Sequence, residues 1–178
     1  MAYFTEQQLE RFADSYELEK RASQFLNESR ASASVSIFLS HSHKDRKKAK
    51  GLIRHLAGLG VEVYVDWNDS DMPRETNRET AEKIKSKISD NTIFLVLATR
   101  NALESKWVPW EIGVADKTKG EARVLIIPVA DPAGNFSGNE YLQLYRRIVI
   151  ADDGEDGVFE PEKTRGSGLT AYLNQFSK

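Results

Sequence analysis

The chain has 178 residues, the size of one domain or of one domain with an appendage. Hydrophobic residues make up 40%, enough for a core, and the formal net charge of −2 gives no whole-chain electrostatic footprint for nucleic acid. The absence of cysteine excludes disulfides, thiolate nucleophiles and cysteine metal sites. The three histidines (His41, His43, His55) show no HExxH-type spacing, so no metal centre is expected.

The first residues lack a basic segment followed by an apolar one, so no signal peptide is expected there. No apolar run approaches the length of a bilayer span. A cytoplasmic protein without membrane or nucleic-acid partners is the expectation.

Residues 3–29 predict one long helix. Thr5 and Gln8 have capping-box spacing, and Leu9, Phe12, Ala13 and Tyr16 recur at helical intervals before the register shifts to Leu18, Ala22, Phe25 and Leu26. Residues 29–34, Ser-Arg-Ala-Ser-Ala-Ser, read as a polar linker. The expected division is therefore an N-terminal helix and linker over 1–33 and a folded domain over 34–178. The helix is expected to serve docking or association rather than the site.

Val35-Ser-Ile-Phe-Leu-Ser40 is a short apolar run, the pattern of a buried strand. A loop over 41–45 follows. Asp45 stands where a helix N-cap belongs, ahead of Ala49, Leu52, Ile53 and Leu56 on one helical face, and Gly58 and Gly60 end that helix. Val61 to Asp66 is a β-branched second strand, so the unit is β-α-β with parallel strands. Residues 67–75 form a long polar loop. Thr76 and Glu79 have capping-box spacing before a helix with Ala81, Ile84 and Ile88 inward. Residues 91–98 are almost wholly apolar, which suits a central strand covered on both faces.

Pro109 is tolerated only in the first turn of a helix, so a helix starts near Lys106 or Trp107 and Glu111 lies just inside it. Trp107 and Glu111, four apart, share a face. An aromatic plane thus stands beside a carboxylate near the positive end of a helix dipole. The plain alternative is a helix-start Glu that suits the dipole and two core tryptophans. Residues 124–129 predict a fourth strand, residues 141–145 a helical turn, and 147–150 a fifth strand at the sheet edge. Residues 152–157 read as an acidic solvated loop without EF-hand spacing, and Ser167 as the cap of a last helix bearing Leu169, Tyr172, Leu173 and Phe176.

Five strands alternating with helices predict an α/β fold, a flavodoxin-like doubly wound five-stranded parallel sheet preceded by the N-terminal helix. Ligands of such sheets bind beyond the carboxyl ends of the strands. That rim gathers residues 41–45, 66–73 and 99–111. No GxGxxG or GxxxxGK[ST] glycine loop is present to cradle phosphates.

Three stretches carry a family resemblance. Val35-Ser-Ile-Phe-Leu-Ser-His-Ser-His-Lys-Asp45 resembles the first-strand motif of Toll/interleukin-1 receptor (TIR) domains. Val63-Tyr-Val-Asp66 with the loop after it resembles their second strand and BB loop. Ser105-Lys-Trp-Val-Pro-Trp-Glu111 is similar to the S-x-W-V-x-x-E segment that holds the catalytic Glu of enzymatic members. The resemblance covers residues 34–176 and implies cleavage of the nicotinamide–ribose bond of NAD, with NAD as substrate and no further cofactor. It implies Glu111 as the catalytic residue, Trp107 as the Trp of the WxxxE pattern, and Ser40, His41, Asp66 and Asp71 as substrate-binding positions, His41 being expected to be exposed. His41-Ser-His43 replaces the aromatic and basic residues common there, and Met72-Pro73 replaces the usual BB-loop glycine.

Small TIR proteins of this length resemble the signal-producing component of bacterial Thoeris antiphage systems. That implies a linear, cyclic or conjugated ADP-ribose product, self-association through TIR domains and a downstream effector that senses the product. The alternative is a non-catalytic TIR adaptor acting by TIR–TIR contact.

Overall fold

A computed structural model describes residues 1–28, 35–69 and 77–177. The elements run β1 (Phe4–Thr5), α1 (Glu6–Asp14), α2 (Tyr16–Glu28), β2 (Ser36–Ser40), α3 (Arg46–Gly58), β3 (Glu62–Tyr64), α4 (Arg78–Asp90) and β4 (Ile93–Ala98). They continue with α5 (Arg100–Leu103), α6 (Val108–Lys119), β5 (Val124–Ala130), β6 (Arg146–Ile150), β7 (Asp156–Phe159), β8 (Gly166–Gly168) and α7 (Leu169–Asn174).

The five expected strands form the parallel centre of one sheet, in the order β3-β2-β4-β5-β6. Their period-2 alternation separates two cores. Ile93, Leu95 and Leu97 of β4 join Ile37 and Leu39 of β2 and Leu125 and Ile127 of β5 on the face covered by α1, α3 and α7. Phe94, Val96 and Ala98 join Phe38, Val124 and Ile126 on the face covered by α4 and α6. All six residues of β4 are buried, as an all-apolar central strand requires.

The sheet extends further than the sequence pattern indicated. β6 is not an edge: it pairs in antiparallel fashion with β7, and β7 with β8. The acidic stretch 152–157 is thus a turn leading into a strand, with Gly157 and Asp156 already in the β6–β7 ladder. Ser167 lies in β8, and Gly168 precedes α7 without a side-chain cap.

The expected single helix over 3–29 is instead a short strand and two helices. Phe4 and Thr5 pair in parallel with Val129 and Ala130. Thr5 and Gln8 do form the capping box of α1. Ser15 then leaves the helical region at φ −75°, ψ 116°, and its hydroxyl accepts from the Leu18 N–H at 3.3 Å, so one residue stops α1 and starts α2. The register shift in the apolar pattern marks this break, and Tyr16 just beyond it is exposed. Phe4 and Leu9 are fully buried in the core beneath α3. Gly51 makes the packing possible: a Cβ there would meet the Leu9 carbonyl oxygen at 1.8 Å. The first helix is therefore built into the domain core. Residues 29–34, expected as a linker, lie outside the described residues, as does Thr76. The observed N-cap of α4 is Asn77, which forms a capping box with Thr80, and of the expected inward set Ile84 and Ile88 are buried while Ala81 is half-buried. No helix among the described residues is long and apolar enough to cross a membrane.

Candidate active site

After β2 the chain crosses to β3 on one side of it, then to β4 on the other. The carboxyl ends of β2 and β4 therefore flank the point where the winding reverses, the place where open α/β sheets leave a crevice. A cleft of about 450 Å³ lies there, lined by the end of β2, Asp66, Asn101 and the start of α6.

Glu111 is the buried acid of the cleft. Pro109 sits in the first turn of α6, as its missing N–H demands, and the Glu111 N–H bonds the Trp107 carbonyl at 2.8 Å. Trp107 and Glu111 accordingly both face the cleft. Trp107 meets Trp110 edge to face, with ring centroids 5.3 Å apart. The start of α6 is capped by Ser105, whose hydroxyl accepts from the N–H groups of Trp107 (3.1 Å) and Val108 (3.5 Å). The serine of the S-x-W-V segment thus holds the turn that presents the tryptophan.

Ser40, the last residue of β2 and 1% exposed, donates its hydroxyl to Glu111 Oε2. Burial pushes the Glu111 carboxyl up to about 7; the Ser40 hydrogen bond works against that rise and the nearby Asp66 charge adds to it. Asp66 opens the turn after β3, where its Oδ1 accepts the Trp67 N–H at 2.8 Å. Asp66 lies 4.0 Å from the Nε2 of both His41 and His43. Glu111 and Asp66 make the cleft acidic, a field suited to a cationic ring.

His41 departs from the expectation. Its side chain is 3% exposed, because Trp67 packs edge to face against it at 4.5 Å and its Nδ1 lies 3.3 Å from the Leu39 carbonyl oxygen. Burial holds the imidazole below its usual value, against the pull of Asp66 and that carbonyl. A strand end is exposed only where nothing folds over it, and here the turn after β3 does. Asp71 and most of its loop lie outside the described residues.

Asp45 has a different role from the cap expected of it. It stands at the N-cap position of α3 but makes no capping bond. Its carboxylate accepts instead from Lys48 Nζ (2.7 Å), Asn101 Nδ2 (2.9 Å) and the Thr99 hydroxyl. Burial would raise the Asp45 carboxyl, but these donors together hold it below the usual range. The residue ties the loop after β2 to the end of β4. Its position in the motif signals a rim location, and Lys48 is one helical turn away, but Thr99 and Asn101, 54 and 56 positions on, are invisible as partners in the sequence.

Ser40, His41, Asp66, Trp107 and Glu111 are thus brought to one cleft. The family model described as "TIR domain" matches residues 37–158. A Bacillus cereus (strain MSX-D12) protein named as a probable 3' cyclic ADP-D-ribose synthase, ThsB', is 34% identical over 115 residues, 64% of this chain and 60% of that protein. A Cytobacillus dafuensis protein named as a candidate cyclic ADP-D-ribose synthase, TIR2, is 33% identical over 105 residues, 50% of this chain and 28% of that protein. The chain therefore spans less than two thirds of the length of either relative. The family match runs from the second residue of β2 into β7 and takes in the five central parallel strands and the cleft at their carboxyl rim, and on that extent this chain belongs to the TIR domain family.

Proposed function

We propose that this chain cleaves the nicotinamide–ribose bond of NAD and transfers the ADP-ribosyl group, acting in a bacterial antiphage defence of the Thoeris type. The observation that carries the reading is Glu111, a buried carboxylate with one side-chain hydrogen-bond donor among the described residues, in a cleft at the switch point of the sheet. A helix-start Glu kept only for the dipole would face water. An adaptor that merely binds other TIR domains has no use for a desolvated acid held off its ordinary titration.

The chemistry asks little of the site. Nicotinamide is bonded to ribose as a pyridinium. When the C–N bond breaks, its electron pair returns to the ring nitrogen and the leaving group departs neutral, so no general acid is required. The ribosyl carbon becomes oxocarbenium-like, as in glycoside hydrolysis. Glu111 accepts hydrogen bonds from the ribose hydroxyls and stabilises the developing positive charge. In the empty cleft it is partly protonated at neutral pH; the pyridinium charge draws its pKa down, so substrate binding itself ionises it. Trp107 supplies the aromatic wall. Ser40 orients the carboxylate, and Asp66 and His41 line the path of the nucleotide. Capture of the ribosyl carbon by water releases a proton and yields ADP-ribose. Capture by a nucleophile of the same molecule yields a cyclic product, and the names of both relatives favour that branch.

By the same reading self-association completes the cleft, with the loop after β3 at the contact, and the product is sensed by a separate effector. Specific activity then rises with protein concentration; a flat profile from a protein that stays monomeric in sedimentation removes this part. The deciding experiment is incubation of the purified chain with NAD, with products identified by chromatography and mass spectrometry. Glu111→Gln, which keeps shape and removes charge, is expected to lower turnover by at least about a hundredfold while the protein stays folded. A folded variant with most of the wild-type turnover refutes the assignment. Excess EDTA is expected to leave the rate undiminished.

A further inference from the structure

His41, His43 and Asp66 stand together at the mouth of the cleft, with ligand atoms that all lie within 4.8 Å of one another. The informative member is His41. Its Nε2 is buried and has no hydrogen-bond partner among the described residues. Buried polar atoms are nearly always satisfied, so an orphan calls for a reason. The other ring nitrogen faces the Leu39 carbonyl oxygen. A carbonyl only accepts, so Nδ1 carries the ring proton and Nε2 presents a lone pair. That arrangement, one N–H on a backbone carbonyl and a bare nitrogen opposite, is the one that orients metal-bound imidazoles.

What Nε2 faces is another acceptor. Asp66 Oδ1 lies 4.0 Å away, too far for a shared proton to satisfy both. His43 Nε2 lies 4.0 Å from the other Asp66 oxygen, on a side chain 80% exposed and free to swing. Around a tetrahedral ion with bonds of about 2.0–2.1 Å, ligand atoms sit roughly 3.3 Å apart. Closing from 4.0–4.8 Å takes shifts of about 0.7–1.5 Å, shared between rotation of the exposed His43 side chain and of the Asp66 carboxylate, with the buried His41 as the fixed member.

We propose that His41, His43 and Asp66 form a binding site for a divalent transition-metal ion of the zinc class, with a fourth coordination position open to the cleft. Two imidazoles and one carboxylate suit zinc; magnesium and calcium prefer oxygen ligands throughout. A bound ion offsets the Asp66 charge beside Glu111 and offers its open position to water or to an anionic oxygen of a ligand. The ion takes no part in the bond cleavage described above, and the inference does not rest on that activity.

Zinc titration of the full chain against a chromogenic chelator tests it directly. One ion per chain is expected, with no competition from equimolar magnesium. Cobalt(II) in place of zinc is expected to give the intense visible absorption of a tetrahedral site. His43→Ala is expected to weaken zinc binding at least about tenfold without changing the metal-free melting temperature, because the side chain is exposed. His55→Ala is the control: that imidazole is already engaged by Asp156 at 2.6 Å, away from the cleft, and its loss is expected to leave zinc affinity unchanged. A wild-type chain that does not bind zinc at micromolar concentration overturns the site. So does a His43→Ala variant that binds as tightly as wild type, or zinc binding that depends on His55.

Discussion

Asp45 and Glu111 are both buried carboxylates on the same rim of the sheet, and their surroundings drive them in opposite directions. Asp45 accepts hydrogen bonds from an ammonium, an amide and a hydroxyl, and is held below the ordinary carboxylate range. Glu111 has the Ser40 hydroxyl and, near it, the like charge of Asp66, and is pushed up to about 7. Burial raises both; an ammonium, an amide and a hydroxyl overcome it at Asp45, and the Ser40 hydroxyl does not at Glu111. A satisfied buried acid is part of the scaffold. An under-satisfied one stores free energy that a cationic ligand can release, and that separates the scaffold of this cleft from its proposed reactive centre.

The largest expected effect tests the scaffold half of this contrast. Asp45→Ala takes from the Lys48 ammonium its shorter ion pair, leaving the exposed Glu6 carboxylate at 3.3 Å, and deprives Asn101 and Thr99 of their acceptor. A loss of about 3–5 kcal/mol in unfolding free energy is expected by urea denaturation. A change below about 1 kcal/mol would mean that Asp45 is no hub.

The next effect has the opposite sign. The Glu111 carboxyl is pushed up to about 7 from an ordinary value of 4.5, so the folded state holds its proton more tightly than the unfolded one. The contribution of this group to stability is therefore greatest below pH 4.5 and declines as pH rises toward 7. Glu111→Gln carries no charge and escapes that decline. It is expected to be more stable than wild type by on the order of 2–3 kcal/mol above about pH 8, with the gain fading on acidification. Equal stability across the range would show that Glu111 is not strained.

A third test reads the same group by kinetics. If ionised Glu111 is the catalytic form, kcat/KM for NAD rises about tenfold per pH unit on the acid side and levels off above a midpoint near 7. A midpoint in the ordinary carboxylate range contradicts the desolvation argument. The smallest effect sharpens it. Ser40→Ala removes the hydrogen bond that opposes the rise, so the kinetic midpoint moves further upward. A downward movement would reverse the assigned role of Ser40.

Much of this architecture was legible in the chain. The central strands β2, β4 and β5 showed as apolar runs because a strand covered on both faces needs apolar residues throughout, and β3 at the edge showed by its β-branched residues. The start of α6 was marked by Pro109, which the backbone tolerates in few places. The break at Ser15 is present as a register shift, yet the apolar pattern on either side is helical and nothing local marks the residue where one helix stops. β7 and β8 were hidden because their glycines and acidic residues resemble a solvated loop; only the partner strand β6 makes them a ladder.

The sequence by itself determined the five strands of the parallel centre, most of the helices and the rim that would hold the site, because periodicity and turn chemistry act over a few residues. Tertiary structure alone decided how each rim residue behaves. Ser40 meets Glu111 across 71 positions of chain, and Asp45 meets Thr99 across 54. His41 is buried because a tryptophan from the turn after β3 lies over it, and the same turn brings Asp66 to the two histidines. Desolvation and charge depend on every neighbour within a few ångströms, whatever its place in the chain, so pKa and ligand geometry are properties of the folded molecule and have no local signature.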